Sequence, residues 1–510
     1  MRKPTTRPAV LSCRQAIRRG VCVLFAALVC LVARADERPT RADVEPETFR
    51  AGAAASNITP PLGEPIVGGF EPRPARHVHD ELHARCLVLD DGRARLAIVL
   101  CDNVGIPREV FDAARALIPE ELQLPGDHIL MAATHTHSAT SARSENRLVA
   151  PSELNEYQRF LARRIADGLV RAVNNLEPAR IGWGRVDVPE EVFNRRWHMT
   201  PGPHLRNPFG GVDQVRMNPP AADPGLLRPA GPVDPEVCFL SVQSRDGRPI
   251  ALLANYSLHY VGGTGPQQIS ADYFAIFADR LQELLGADRL DPPFVGMLSN
   301  GTSGDVNNVD FRTRRGRRAP YEKMREVADR VAKAVHAAHA SVEFHDRVPL
   351  DARVTELTLA VRKPTDEQLA WARQTLDKPP DAPVWHAREK NYAQRVLLQH
   401  ASPDEIAVPL QALRIGDVGI AAIPFEVFTE IGLEIKEQGP FKKNFTIELA
   451  NGSYGYLPTP AQHALGGYET WLGTNLVEIE ASPKIVRTVL DLFAQLHGSQ
   501  TAGRLSRNRP

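Results

Sequence analysis

The chain has no excess charge of either sign: 61 Lys and Arg stand against 61 Asp and Glu. No strongly basic field exists to collect a phosphate backbone, which argues against nucleic acid as a main partner. Cysteine is scarce. Of six, Cys13, Cys22 and Cys30 fall in the first 35 residues, leaving Cys86, Cys101 and Cys238. An odd number on apolar, strand-like runs predicts buried thiols rather than a disulfide framework, with a Cys86–Cys101 pair as the alternative. No Cys-x-x-Cys pair occurs, so a thiolate zinc site is not expected. No run after residue 35 is long and apolar enough for a membrane helix, and no internal repeat stands out. Apolar residues, at 43%, are nonetheless as frequent as in ordinary packed proteins, which excludes global disorder.

The N-terminus has Arg2, Lys3, Arg7, Arg14, Arg18 and Arg19, then an apolar run from Val21 to Val32, then Ala33-Arg34-Ala35. A basic start, a short apolar core and small residues at −3 and −1 read as a secretory signal peptide over residues 1–35. About twelve apolar residues are too few to span ~30 Å as a helix, which weighs against an uncleaved anchor. The mature protein is therefore expected to be exported, secreted or periplasmic, with no integral membrane segment.

Strand and helix signals alternate along the rest. Ala84–Leu89 and Ala94–Leu100 read as a hairpin across Asp91-Gly92, and Val237–Val242 with Ile250–Leu258 as a second. Apolar residues recur at helical spacing in Val110–Ile118, Tyr157–Leu176, Ala271–Leu285, Met324–Ala340 and Pro483–Leu496. His128–Ala133, Phe294–Leu298, Val408–Leu413, Gly419–Ile423 and Phe445–Leu449 read as strands. The predicted fold is α/β, a mixed β-sheet core flanked by helices in a single large catalytic domain over 36–500. A helical insertion is expected over 364–403 and a disordered tail over 501–510.

Four segments carry side chains suited to chemistry. Thr134-His135-Thr136-His137-Ser138 closes an apolar strand, and residues two apart on a strand share a face, so both imidazoles are expected to point the same way. Neutral imidazole is a common metal ligand and acid/base group. His259 closes a second strand in Asn255-Tyr256-Ser257-Leu258-His259, ahead of Gly262-Gly263 and Ile269-Ser270-Ala271-Asp272. Glu426, in Pro424-Phe425-Glu426, interrupts an apolar strand end, where a buried carboxylate requires a cation, donors or a metal. Tyr456 and Tyr468 lie twelve apart in Tyr454-Gly455-Tyr456 and Gly467-Tyr468-Glu469. Each segment alone also fits an ordinary polar or packing role.

Taken in order and spacing, these segments resemble the neutral (alkaline, non-lysosomal) ceramidase family. Ile58-Thr59-Pro60, Gly68-Gly69-Phe70 and Leu82-His83-Ala84-Arg85-Cys86 are similar to its opening, and the resemblance runs from about Ala51 to Phe493. It implies one Zn2+ held by His135, His259, Glu426 and Tyr456. It also implies that His137, Arg195 and Tyr468 surround the scissile amide, with Arg196 the competing arginine. Two nitrogens, a carboxylate and a phenolate leave room on zinc for a water, whose pKa such a site lowers to ~7. Arg195 and Tyr468 would donate to the oxyanion, and His137 would pass a proton to the leaving amine.

Two departures stand out. Ser303-Gly304-Asp305-Val306-Asn307-Asn308 puts Asn307 where the family has a serine, and an amide can hold a substrate but cannot attack it. The chain also stops about seventeen residues after the last similar segment, so the family's C-terminal immunoglobulin-like domain is not expected. The resemblance implies zinc-dependent cleavage of the N-acyl bond of ceramide or a related lipid amide through a zinc-activated water, with presentation of the substrate at a membrane surface compatible with that reading. The alternatives are a metal-dependent hydrolase of another amide or ester, and a noncatalytic extracellular binding protein on the same fold.

Overall fold

The computed structural model describes residues 48–507 apart from 70 and 315, with side chains described to residue 498; the signal peptide expected over 1–35 lies outside the described residues. Eight strands form the larger sheet: β1 (Arg50–Asn57), β2 (His83–Asp90), β3 (Arg95–Cys101), β4 (Ile129–Ala133), β5 (Glu177–Asp187), β6 (Glu236–Ser244), β7 (Pro249–Tyr256) and β8 (Val295–Asn300). Their spatial order is β8-β7-β6-β5-β1-β2-β3-β4. A second sheet has the order β9-β10-β11-β12, from Leu350–Ala360, Glu405–Ile415, Val418–Ile423 and Lys443–Glu448.

The two sheets pack face to face. Leu87, Ile98, Leu100, Leu253 and Met297 of the first meet Leu413, Ile415, Ile420, Phe445 and Ile447 of the second. Helices cover both outer faces. On the first sheet lie α1 (Arg108–Ala116), α2 (Glu156–Asn174), α3 (Asp272–Leu284) and α4 (Glu322–His339). On the second lie α7 (Thr429–Gln438) and α9 (Ala481–Arg507), through Ile431, Ile435, Ile485, Val489 and Phe493. The mixed sheet core flanked by helices is thus a helix–sheet–sheet–helix sandwich. Because the larger sheet is buried on both faces, β2 and β3 read as continuous apolar runs rather than alternating ones.

Local chemistry fixes the ends. The Asp91-Gly92 turn has Gly92 at φ 85°, and the Asp91 carboxylate accepts from the amides of Arg93 and Ala94. A capping box of Asn155 and Gln158 starts α2, and one of Thr365 and Gln368 starts α5 (Asp366–Leu376). The predicted insertion is a pair of helices, α5 and α6 (Glu389–His400), between β9 and β10. A short α8 (Pro460–Leu465) precedes the last segment.

The expected buried thiols are present, and two other expectations change. Cys86 and Cys101 are free and buried: Cys86 lies opposite Val99 and Cys101 opposite Ala84, so the thiols sit on a diagonal of adjacent strands and are not paired. Burial pushes the Cys86 thiol up to about 12. α9 continues to Arg507 through most of the segment expected as tail, since no proline interrupts the backbone hydrogen bonding between Pro483 and Pro510. Strands β1, β5 and β9 escaped the periodicity reading. β1 is built mostly from Ala, Gly and Ser, poor strand formers that let α2 approach closely, and β9 buries only Leu350, Ala352 and Leu359. Among the described residues, no helix is long and apolar enough to cross a membrane.

Candidate metal centre

Three pairs of parallel neighbours, β3/β4, β7/β8 and β11/β12, send their carboxyl ends toward one place. Loops beyond such ends are where open α/β sheets collect polar side chains. Strand β4 stops at Ala133, and His135 adopts a left-handed backbone, φ 69°, with its amide donating to the Asn103 carbonyl at 3.0 Å. The expected shared strand face therefore does not apply, because residues 134–137 are not in a strand. The left-handed turn instead aims the imidazoles of His135 and His137 at each other, Nε2 to Nε2 at 3.0 Å.

His259 follows β7 and completes the group: one ring nitrogen from each of His135, His137 and His259 lies within 4.8 Å of the others. Every Nδ1 is committed elsewhere. That of His135 faces the Val104 carbonyl at 2.5 Å, that of His137 the Gly68 carbonyl at 2.8 Å, and that of His259 the Ser303 carbonyl at 3.0 Å. With protons on Nδ1, the Nε2 lone pairs converge, an arrangement that second-shell carbonyls impose on metal-binding histidines. Gly68 is needed there, since a Cβ would stand 2.1 Å from the His137 carbonyl oxygen. Burial first, then neighbouring charges and imidazoles, holds His137 and His259 well below the ordinary imidazole value.

Glu426 arrives from the end of β11, 2% exposed, with Oε2 at 3.3 Å from His135 Nε2. Burial pulls its carboxyl upward, but His135, Arg143 and His259 outweigh that and hold it well below the usual carboxylate range. Tyr456 lies beside it, because Glu426 and Tyr456 pair in a two-residue parallel ladder. The Tyr456 hydroxyl accepts from Arg195 Nη2 at 3.0 Å. Burial raises the Tyr456 phenol well above its ordinary value, with Arg195 opposing. Tyr468 stands edge-on to Tyr456 with ring centroids 5.8 Å apart.

Donor chemistry and orphaned atoms both fit a metal ion. His259 Nε2 and Glu426 Oε2 are buried with no hydrogen-bond partner, and converging lone pairs repel unless a cation lies between them. His135, His259, Glu426 and Tyr456, the set implied by the resemblance, come together here. His137, implied as a substrate contact, is close enough to be a ligand, yet it is the half-buried member of the trio and lines the adjoining cavity of about 250 Å3. Arg195, Tyr456 and Tyr468 line the same cavity.

The choice between adjacent arginines follows from their opposite directions. Arg195 reaches the cavity, while Arg196 is fully buried and donates to Glu469 Oε2 at 2.7 Å and the Gly466 carbonyl at 2.7 Å. Asn307 is not part of the cavity wall. Its amide donates to Asn218 Oδ1 at 2.7 Å, and Asn218 is part of that wall.

Residues without a recognised sequence signal complete the site. Arg143 Nη2 lies 3.6 Å from Glu426 Oε1, and no spacing marks it in the loop after His137. Ser303 Oγ donates to Glu448 Oε1 at 2.7 Å and lies 3.1 Å from His259 Nδ1. Ser303→Ala is expected to weaken metal binding about 10- to 100-fold, the usual cost of losing such outer support. Competition with a chromogenic chelator measures this, and an unchanged affinity would remove Ser303 from the site.

The arrangement defines an α/β protein with a buried imidazole–carboxylate centre at the strand ends, opening on a cavity. Residues 49–318, more than half of the chain, match the family described as neutral/alkaline non-lysosomal ceramidase, N-terminal. The chain belongs to that family. It is 21% identical over 278 residues to neutral ceramidase A of Dictyostelium discoideum, a stretch covering 51% of this chain and 36% of that protein. The matched stretch thus spans about a third of the relative's length. The crystal structure of neutral ceramidase from Pseudomonas aeruginosa superposes with a TM-score of 0.64 at 18% identity, covering 89% of this chain and 75% of that one. A ceramidase complexed with C2 gives 0.65 at 16% identity, covering 89% and 76%. At such identities the likeness establishes the fold.

Proposed function

We propose that this chain is an exported, zinc-dependent amidohydrolase that cleaves the N-acyl bond of ceramide or a related lipid amide. The observation that carries the reading is the convergence of three Nε2 atoms and one carboxylate, each imidazole oriented by an oxygen behind it, on the wall of a cavity. His135, His259, Glu426 and Tyr456 would hold the ion. Bound zinc supplies a Lewis acid and brings the pKa of water to ~7.

The chain's own residues do the rest. Tyr468 keeps its proton because burial raises its phenol above the ordinary value, against Arg395, so it can donate to an oxygen that gains charge. Arg195 is a permanent cation: burial works against its charge, and Tyr456 and Glu469 more than restore it. His137 lines the cavity, stacked on Tyr260 at 3.7 Å with Nδ1 anchored and Nε2 3.0 Å from His135 Nε2, at the boundary between metal centre and cavity where it can move a proton to the departing nitrogen. Asn218, tied to Asn307, offers a polar contact to the substrate rather than a nucleophile.

The test is hydrolysis of a short-chain fluorescent ceramide by the zinc-loaded protein. Activity should vanish with a chelator and return with zinc. Stoichiometric zinc with no turnover of any lipid amide would move the assignment to a noncatalytic binding protein.

A further inference from the structure

The cavity beside the metal centre is unexpectedly cationic. Arg143, Arg147, Arg195 and Arg395 line it, and Glu426 is its one carboxylate. Arg195 is matched by Glu469 at 3.1 Å. Arg143 donates through Nε to Ser453 Oγ at 2.7 Å and faces Glu426, but its Nη2 is buried with no hydrogen-bond partner. Arg147 makes no salt bridge or hydrogen bond among the described residues. Arg395 is steered into place by the Thr474 and Tyr392 hydroxyls at 3.2 and 3.4 Å.

Arg147 also sits where three cavities meet. It lines the one at the metal centre, a second of about 590 Å3 shared with Arg143, and a third of about 90 Å3 shared with Arg395. Glu64, Glu145 and Glu156 belong to the second cavity and Glu145 to the third, and none lines the first. The positive charge is thus concentrated on the wall nearest the imidazoles. Ceramide has hydroxyls and an amide that can accept hydrogen bonds but no ionised group, so it brings no counter-charge to Arg147, which has no carboxylate partner of its own. Grouped guanidiniums are costly to bury unless an anion accepts their hydrogen bonds, and their planar forks suit carboxylate and phosphate oxygens.

We propose that the substrate of this site is an N-acyl amide bearing an anionic group, a carboxylate or a phosphate, received by Arg147 and Arg395 while the amide lies at the metal centre. Arg147 is half-buried, and desolvation with Arg143 and Arg395 nearby lowers it to about 9. The inference rests on the amidohydrolase reading and narrows it: the charged end specifies the substrate and the acyl chain extends outward.

The test uses the zinc-loaded full chain and two matched pairs of substrates. One pair is N-dodecanoylglycine and its uncharged glycinamide; the other is N-dodecanoylethanolamine and its phosphate ester. Charged partners should be cleaved about 10- to 100-fold more efficiently in kcat/KM, the discrimination that hydrogen bonds to a charged group provide. Whichever pair shows the larger ratio identifies carboxylate or phosphate. Arg147→Gln should bring that ratio toward one, and Arg147→Gln with Arg395→Gln should abolish it. Hydrolysis with equal or better use of the neutral partners would overturn the proposal, as would a ratio that survives the double variant. If neither pair is hydrolysed while short-chain ceramide is, the proposal is overturned and the amidohydrolase reading stands; if ceramide is not hydrolysed either, that reading fails on its own, and calorimetry decides the anion site: tighter binding of N-dodecanoylglycine than of its amide, lost in Arg147→Gln, supports it, and equal binding overturns it.

Discussion

His259→Ala is expected to empty the metal centre, taking zinc from about one ion per chain to near zero and lowering amide hydrolysis at least about a thousandfold. The magnitude follows from a Lewis acid being worth several kcal/mol, with each 1.36 kcal/mol a factor of ten. Geometry makes His259 the sharpest probe. It is fully buried, its Nε2 has no hydrogen-bond partner, and its Nδ1 is held by Ser303 at 3.0 Å, so no hydrogen bond is lost from the Nε2 side. Glu426→Ala should act alike, whereas Asn307→Ala should keep the metal, since Asn307 reaches the cavity only through Asn218. Elemental analysis of the three proteins beside wild type is the measurement. A His259→Ala protein that retains full zinc would sink the ligand assignment.

A second large effect is predicted for Glu469, which is 0% exposed and lies between two arginines, 3.1 Å from Arg195 Nε and 2.7 Å from Arg196 Nη1. Its carboxylate joins the cavity wall to the loop before Tyr468, because Arg196 also holds the Gly466 carbonyl and Gln462. Glu469→Ala leaves two buried guanidiniums without their anion, which should cost about 3–5 kcal/mol of stability. Urea denaturation should show a lower midpoint with an unchanged slope, the mark of lost stability rather than an altered denatured state. A loss under about 1 kcal/mol would mean that the clamp is dispensable. Glu469→Gln should fall between the two, keeping shape and an acceptor but not charge.

Legibility in the sequence tracked the length scale of the physics. Two hairpins and five helices were readable because their signals are local: Asp91-Gly92 for a turn, apolar recurrence for α2 and α4. Strands β1 and β5 were not, since Gly, Ala and Ser serve there for close approach, a property of what packs against them. The shared strand face that the spacing of His135 and His137 predicts does not form, and a left-handed turn at His135 brings the pair together instead. Arg143, Arg147 and Arg395 had no signal at all. An arginine in a loop reads as solvated until the fold encloses it.

What the sequence by itself determined is the family, the α/β class and the residue types that can bind a metal, because composition, periodicity and motif order are carried by the chain directly. Only the tertiary structure decided that Arg195 rather than Arg196 faces the cavity, that Ser303 and Glu448 stand behind His259, and that four guanidiniums share one wall. These are relations between residues up to hundreds of positions apart. Burial and orientation, which set their electrostatics, exist only once the two sheets have packed.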